Sequence, residues 1–207
     1  MGLREEKEQL TRTAIMDAAF NLFCQQGIEP TEMMQIAKKA KVSRPTVYRY
    51  FESKDALAED VYLRNLENMH ITELQYTTEM TSYELVKRYL DVVLQELQTN
   101  PRQLVYDAMY NLYASRKHLD PTTLPQHPFN IPRYQQMVNA KQIIHPDDTV
   151  RVQGTDDTLL DVVYYPYFTY VQRLAIFSFQ KEQSAWDATI RQAKTLRAFY
   201  LEVLKPE

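Results

Sequence analysis

Hydrophobic residues recur at helical rather than strand spacing along most of the chain. Between residues 15 and 23 they fall at i, i+3, i+4, i+7 and i+8, which gives one apolar stripe on a first helix predicted over 4–26. Gly27 comes next as a helix stop, because glycine adopts a positive φ at the least cost. Valine and isoleucine rarely alternate with polar residues, and the 207 residues include only three glycines. The pattern therefore predicts an all-α protein.

Two short helices joined by a tight turn are predicted next. The first covers 32–40 with Thr31 as its N-cap, and the turn falls at Lys41. Ser43 is the candidate N-cap of the following helix, and Pro45 lies in its first turn, where a missing N–H is no loss. Three helices with a short turn between the last two match helix-turn-helix geometry.

The rest of the chain also shows helical spacing. Ser53 is expected to cap a fourth helix over 54–76, long enough to link the first three helices to the C-terminal part of the chain. Five further helical segments are predicted: one opened by the capping box of Thr81 and Glu84, one opened by Asn100 and Pro101, and three over 132–142, 156–180 and 185–204. Ser184 is expected to cap the last helix, and Pro166 to kink or break the helix before it.

The segment 31–54 is basic, although the whole chain carries a formal net charge of −3. Between positions 38 and 54, six lysine and arginine side chains accompany a single acid, Glu52. A basic unit in an acidic chain indicates a nucleic-acid-binding head on a body with another role. We therefore expect a helix-turn-helix DNA-binding domain over 1–53 and a helical domain over 54–207, linked by the fourth helix.

The third helix carries the residue types that read DNA. An α-helix fits the major groove, where each base pair shows a distinct pattern of donors and acceptors. Arg44 and Arg49 can each donate two hydrogen bonds to O6 and N7 of guanine. The methyl of Thr46 and the ring of Pro45 can make apolar contacts with a thymine methyl. Side chains expected to hold phosphates without reading sequence are Thr31, Lys41 and Lys54.

The composition argues against secretion, membrane insertion and catalysis. The single Cys24 cannot form an internal disulfide and fits a reducing cytoplasm. The N-terminus lacks an apolar signal segment, and the most apolar run, 159–179, is interrupted by charged residues and a proline. The histidines are scattered, and the sequence has neither a glycine-rich loop nor a nucleophile motif. We therefore expect no catalytic residue, no metal site and no cofactor. We expect a cytoplasmic protein that is not an enzyme and does not enter a membrane.

Several linked positions resemble the signature of the TetR family of transcriptional regulators. They are Gly27, Thr31, Ile36, Ala37, Val42, Ser43, Pro45, Thr46, Val47, Tyr48, Phe51, Ser53, Lys54 and Leu57. Tyr48 is similar to a family tyrosine that contacts a phosphate or a base edge. The predicted DNA contacts are then Thr31, Lys41, Ser43, Arg44, Pro45, Thr46, Tyr48, Arg49 and Lys54.

Two features depart from the family pattern. Lys41 stands in the turn where many members have glycine, and it adds a charge near the phosphates. Met33 and Met34 stand where members often place a polar or basic side chain early in the second helix. These departures predict that most sequence reading comes from residues 44–49.

The resemblance implies a repressor that a small-molecule effector, bound in the helical body, releases from its operator. Aromatic side chains at helical spacing in the body fit either a core or a pocket. Candidate ligand-binding residues are Met69, Tyr106, Met109, Tyr110, Tyr113, Tyr134, Met137, Tyr164 and Phe168. With the acids Glu73, Asp107 and Asp161 nearby, such a pocket would suit an apolar, aromatic or cationic compound.

The two closing helices carry more apolar surface than one buried face needs. Their apolar residues are Val163, Tyr167, Tyr170, Val171, Leu174, Phe177, Trp186, Ile190, Ala193, Leu196, Phe199, Tyr200, Val203 and Leu204. Packing against a second copy would bury them, and a homodimer would place two heads about 34–36 Å apart on a palindromic operator in double-stranded DNA. Two alternatives stay open: the set is monomer core, or the protein is an architectural DNA-binding protein without a ligand.

Overall fold

The structure is a computed structural model that describes residues 2–68, 82–119, 165–179, 183–203 and 205. These residues form eight α-helices and no strand. In chain order the helices are α1 Leu3–Gln26, α2 Met33–Lys39, α3 Arg44–Tyr50, α4 Lys54–Glu67, α5 Ser82–Thr99, α6 Pro101–Arg116, α7 Tyr165–Phe179 and α8 Gln183–Val203. The prediction of an all-α fold is confirmed.

The first three helices enclose a small apolar core, as their spacing predicts. α1 packs against α2 and α4, and α2 packs against α3. Phe23, Ile36 and Val47, one from each of these helices, are fully buried. Phe51, directly after α3, is also buried, so its ring fixes the end of α3 in the same core.

Serine caps set the starts of α3 and α4. The Ser43 hydroxyl accepts a hydrogen bond from the Thr46 backbone N–H at 3.1 Å, and the Ser53 hydroxyl accepts one from that of Ala56 at 3.0 Å. Both predicted caps are therefore confirmed. Ser184 is not a cap, because α8 already begins at Gln183 and includes it.

The turn between α2 and α3 depends on a backbone conformation that favours glycine. Lys41 has a φ of 57°, and it supplies the left-handed residue at this position. Its side chain points outward and is exposed. The turn geometry is therefore kept without glycine, at some cost in backbone strain and with the gain of a surface cation.

Helix α6 is the central element of the body. It packs against α1, α4, α5 and α7. Leu104 and Ala114, near its two ends, are fully buried. Because α1 also belongs to the head, α6 joins the core of the head to that of the body.

Some predicted boundaries differ from the structure. α4 ends at Glu67 with Asn68 as its C-cap, whereas the sequence pattern predicts a helix to residue 76. α7 is described from Tyr165, and Pro166 is its second residue. Thr81 and the predicted helix over 132–142 lie outside the described residues. None of the described helices is long and apolar enough to cross a bilayer.

Candidate nucleic-acid interface

Helix α3 presents its polar side chains outward and its apolar ones inward. Arg44, Pro45, Tyr48 and Arg49 are exposed, whereas Val47 between them is fully buried. Thr46 is half-buried, and its hydroxyl pairs with that of Ser43 at 2.7 Å. The sequence-predicted reading residues therefore share one solvent-facing surface, which we call the α3 face.

Two of the α3 face side chains hold each other in place. The Arg44 guanidinium carbon lies 5.5 Å from the centroid of the Tyr48 ring, one helical turn away. Tyr48 is 41% exposed, so its hydroxyl stays available for a phosphate or a base edge. Stacking restricts the conformations of the Arg44 side chain before any DNA is bound, which reduces the conformational entropy lost on binding.

Arg49 is oriented differently. Its guanidinium carbon lies 5.0 Å from the Tyr50 ring centroid, and its Nη2 donates to the Tyr50 hydroxyl at 3.2 Å. Both contacts are on the surface, so the side chain can leave them at small cost. Arg44 is thus the better-placed reader, and Arg49 has to rotate before it can reach a base.

The basic side chains of α2 and its following turn add positive charge to the surface of the helices that pack together here. Lys38, Lys39 and Lys41 are all exposed. On the same helix, Met33 is buried in the core, whereas Met34 is 60% exposed. Of the two methionines, only Met34 could therefore touch DNA, through an apolar contact.

Thr31 does not have its predicted role as the cap of α2. The N-cap residue is Glu32, and Thr31 is only 1% exposed. Its hydroxyl donates to the Gly27 carbonyl at 2.6 Å and accepts from the Gln26 side chain at 3.1 Å. With the hydroxyl used inside the protein, Thr31 closes the α1–α2 connection and is turned away from a phosphate.

Lys54 also serves the protein interior. Its Nζ donates to the backbone carbonyls of Glu29 at 2.6 Å and Thr31 at 3.1 Å, and its side chain is half-buried. These are charge-assisted bonds to the loop that leads into α2. In this conformation Lys54 positions the helix-turn-helix and does not extend towards DNA.

The tyrosines predicted for ligand binding on α6 face the head and α4. The Tyr106 hydroxyl donates to the Ala58 carbonyl at 2.9 Å, and the Tyr113 hydroxyl donates to the Asp55 carboxylate. The Tyr110 ring stacks on that of Tyr62 with centroids 4.2 Å apart. All three α6 tyrosines are buried, and burial raises the pKa of each hydroxyl, so they remain neutral donors.

The remaining predicted ligand residues contribute less to a description of a pocket. Met109 is partly buried against the core. Four of them lie outside the described residues: Met69, Tyr134, Met137 and Tyr164. Phe168 is described only as a residue of α7.

Within the residues that are described, no group of histidine, cysteine, aspartate or glutamate could hold a metal ion. Cys24 is buried, which raises its pKa to about 11 and keeps it a thiol packed in the core.

Polar contacts at both ends of α6 connect the body to the head. At its start, Arg102 donates to the Asn21 side chain of α1 at 2.5 Å. At its end, Arg116 pairs with Glu29 at 3.4 Å, and Lys117 approaches Asp55 at 3.9 Å. No local sequence pattern indicates these contacts, because the partners are more than 60 positions apart.

A second polar cluster lies between α4, α6 and α7. Asp107 is 3% exposed and accepts hydrogen bonds from Gln172 and, at 3.4 Å, from Asn111. The Tyr62 hydroxyl lies beside this carboxylate. Sequence reasoning predicts Asp107 as an acid near a ligand pocket. It does not predict that Tyr62 and Gln172 bring polar groups to this carboxylate, because that depends on how the helices pack.

Comparison with known proteins agrees with the geometry of the head. Residues 15–61 match the family model described as bacterial regulatory proteins, tetR family. The transcriptional regulator AcrR of Shigella flexneri is 32% identical over 101 residues, which are 48% of this chain and 47% of that protein. UidR of Escherichia coli K12 is 35% identical over 67 residues, or 32% of this chain and 34% of that regulator. The chain thus spans less than half the length of these curated relatives, both of which are HTH-type transcriptional regulators.

Solved structures share the fold over most of the chain. A TetR-family protein from Vibrio parahaemolyticus has a TM-score of 0.57 at 18% identity and covers 88% of this chain and 95% of its own. Salmonella enterica GusR has the same TM-score of 0.57 at 17% identity, covering 95% and 96%. Residues 15–61 thus carry the sequence pattern of the tetR family of bacterial regulatory proteins, and the described helices share the fold of solved TetR-family structures.

Proposed function

We propose that this protein is a DNA-binding transcriptional regulator that inserts α3 into the major groove. The observation that supports this most directly is the α3 face, where Arg44, Tyr48 and Arg49 are exposed over a fully buried Val47. The exposed lysines around it supply the sequence-independent attraction to phosphates. Arg44 and Arg49 read bases, and Lys41 and Tyr48 hold the backbone.

The proposed DNA-binding domain covers residues 1–53 and the regulatory body covers 54–207. The named relatives are transcriptional regulators, which supports regulation as the role of the head. Repression is the simpler outcome of binding, because a protein seated on a promoter excludes polymerase without further contacts. Such a protein acts in the cytoplasm, where it has access to its operator.

The active form is proposed to be a homodimer joined by α7 and α8. Phe177 and Phe199 are 69% and 61% exposed on these helices, and Tyr170 and Leu196 line a groove of about 560 Å³ between them. An apolar surface of this kind is usually covered by a partner. By contrast, Val171 and Ala193 of the predicted dimer set are fully buried within one chain and belong to its own core.

Control by an effector would act through the junction of α6 with α4. Asp55 receives the Tyr113 hydroxyl, and its neighbour Lys54 holds the carbonyls that precede α2. A shift of α6 would therefore change the position of the helix-turn-helix relative to the body. The protein would then have two arrangements, which differ in the position of α6 and of the helix-turn-helix. A ligand alters DNA affinity only if it binds one of these arrangements better than the other.

Selection from random DNA tests the function as a whole. The full-length protein should enrich a palindrome whose half-sites lie about one DNA turn apart, 34–36 Å. Affinity for that palindrome should fall steeply as salt rises, because phosphate contacts release counterions. Enrichment of no sequence would instead indicate architectural binding, and no binding at low salt would reject a DNA-binding role.

A further inference from the structure

The carboxylate of Asp107 is buried, and the residues that the structure describes bring no positive charge to pair with it. The amides of Gln172 and Asn111 donate hydrogen bonds to it, and the Tyr62 hydroxyl lies beside it; all three groups are neutral. No lysine, arginine or histidine in the described part of the chain forms an ion pair with it. Burial raises the pKa of Asp107 to about 7, because an unpaired charge is poorly solvated there.

Tyr62 adds a second unmatched polar group at the same place. Its side chain is fully buried, and its hydroxyl lacks a hydrogen-bond partner of good geometry within the described residues. The hydroxyl nevertheless lies next to the Asp107 carboxylate and the Asn111 amide. A buried hydroxyl left in this state is destabilising, and it is satisfied if another donor or acceptor enters the cluster.

The surroundings of the two groups favour an aromatic guest. The buried Tyr62 and Tyr110 rings stack at 4.2 Å with an interplanar angle of 19°, and the Tyr62 hydroxyl lies next to the carboxylate. Gln172 on α7 is only half-buried, and its amide occupies the Asp107 oxygen that a ligand would need. Rotation of this one side chain would free the carboxylate.

We propose that Asp107, Tyr62 and Gln172 form the recognition point for an effector that carries an aromatic cation, either an ammonium or an amidinium group. The cation replaces the Gln172 amide on Asp107, and the aromatic part packs against the Tyr62 and Tyr110 rings. This inference rests on the proposed function, because it names the chemical class of the effector that the body binds. It also places the ligand against α4 and α6, the two helices that meet at the head.

Binding of a cation at Asp107 has a distinctive pH dependence. A neighbouring positive charge favours the ionised carboxylate and lowers its pKa, so binding at pH 7 releases part of a proton to the buffer. Between pH 5 and pH 8 Asp107 becomes ionised in the free protein, and affinity for a permanent cation should rise about tenfold or more. A neutral ligand of the same shape would show neither effect.

Calorimetry with benzamidine and benzamide tests this directly, since the two compounds have nearly the same shape and only the first is charged. The full-length wild-type protein should bind benzamidine roughly tenfold more tightly than benzamide at pH 8. Titration in two buffers of different ionisation enthalpy should show proton release with benzamidine alone. Asp107→Asn should abolish both differences, whereas Asp187→Asn, which alters an exposed carboxylate on α8, should keep them.

Other outcomes separate this inference from the function on which it rests. Equal affinity for the two compounds, no binding of either, or unchanged discrimination in Asp107→Asn would overturn it. Tyr62→Phe provides a second variant that keeps the ring, and it should weaken benzamidine. Because the Tyr62 hydroxyl lowers the pKa of Asp107, its removal should also increase the proton release at pH 7. If discrimination is found but selection from random DNA yields nothing, the cation site stands and the regulator function fails; the reverse result rejects only the cation site.

Discussion

Three serines near helix starts differ in what their hydroxyls do. Ser43 and Ser53 each accept a bond from a backbone N–H three residues later, whereas Ser184 lies inside α8 and is exposed. Ser43→Ala and Ser53→Ala should each lower the free energy of unfolding by about 0.5–2 kcal/mol. Ser184→Ala should change it by less than about 0.5 kcal/mol. Urea unfolding measures all three, and an equal loss at Ser184 would show that its hydroxyl caps α8 after all.

Asp107 predicts a pH dependence of stability. Its pKa in the folded protein, about 7, lies above the ordinary value of 3.8, so between these values the folded state holds the extra proton. Stability should therefore fall as pH rises from 4 to 7, by about 1.4 kcal/mol per unit of pKa difference, and level off above pH 7. Asp107→Asn should remove this decline in urea unfolding at a series of pH values. A variant curve that still falls in parallel with that of the wild type would exclude Asp107 as its source.

Residues with local partners can be interpreted from the sequence alone. Ser43 is a cap because its partner, Thr46, is three positions away, and the exposure of Arg44 agrees with the burial of Val47 on the same helix. For Thr31 and Lys54, residue type suggests a phosphate contact. Their actual partners, Gly27 and the loop carbonyls of Glu29 and Thr31, depend on how the chain folds back.

At the level of elements, the α1–α2 connection is held by the first residue of α4. Lys54→Met keeps the length of the side chain but removes its bonds to the Glu29 and Thr31 carbonyls. Because Lys54 is half-exposed, the expected loss of unfolding free energy is about 1 kcal/mol, at the lower end for a charged hydrogen bond. Urea unfolding of the DNA-free protein measures this effect.

Lys39→Met is the matched control, since Lys39 is an exposed lysine on α2. It should leave stability within about 0.5 kcal/mol of the wild type, and it should reduce the salt dependence of DNA binding. The opposite pattern, unchanged stability with a reduced salt slope in Lys54→Met, would restore the phosphate role that the sequence predicts for Lys54.

Helix positions are predictable where a cap or a proline marks the boundary. α3 and α6 begin as expected, next to Ser43 and at Pro101. The end of α4 is not predictable in this way, because the apolar spacing continues past Glu67 in the sequence.

The role of the aromatic residues on α6 is also not predictable from their spacing, because residues at i and i+4 share a face whether that face meets a ligand or another helix. In the fold, that face meets α4 and the head.

At the level of the whole molecule, the exposed face of α7 and α8 is the surface proposed to join two copies. Phe199→Glu places a charge in the groove beside Tyr170 and Leu196. Sedimentation should show a shift from dimer to monomer at micromolar concentration, with nearly unchanged helix content, because Phe199 is 61% exposed in the single chain. Affinity for a palindrome should fall while affinity for an isolated half-site is retained.

Leu112→Glu is the control for a charge at an exposed apolar position. Leu112 is 54% exposed on α6, away from the groove of α7 and α8. This variant should remain dimeric. Dissociation of both variants, or of neither, would place the interface elsewhere.

The most direct measurement is the affinity of wild type, Arg44→Ala and Lys39→Ala for the selected palindrome and for a scrambled duplex at one salt concentration. Arg44 stacks on Tyr48 at the start of the α3 face, so its loss should cost about 1–3 kcal/mol on the palindrome and little on scrambled DNA. Lys39→Ala should weaken both duplexes alike. Equal losses on both duplexes for Arg44→Ala would contradict sequence reading by α3.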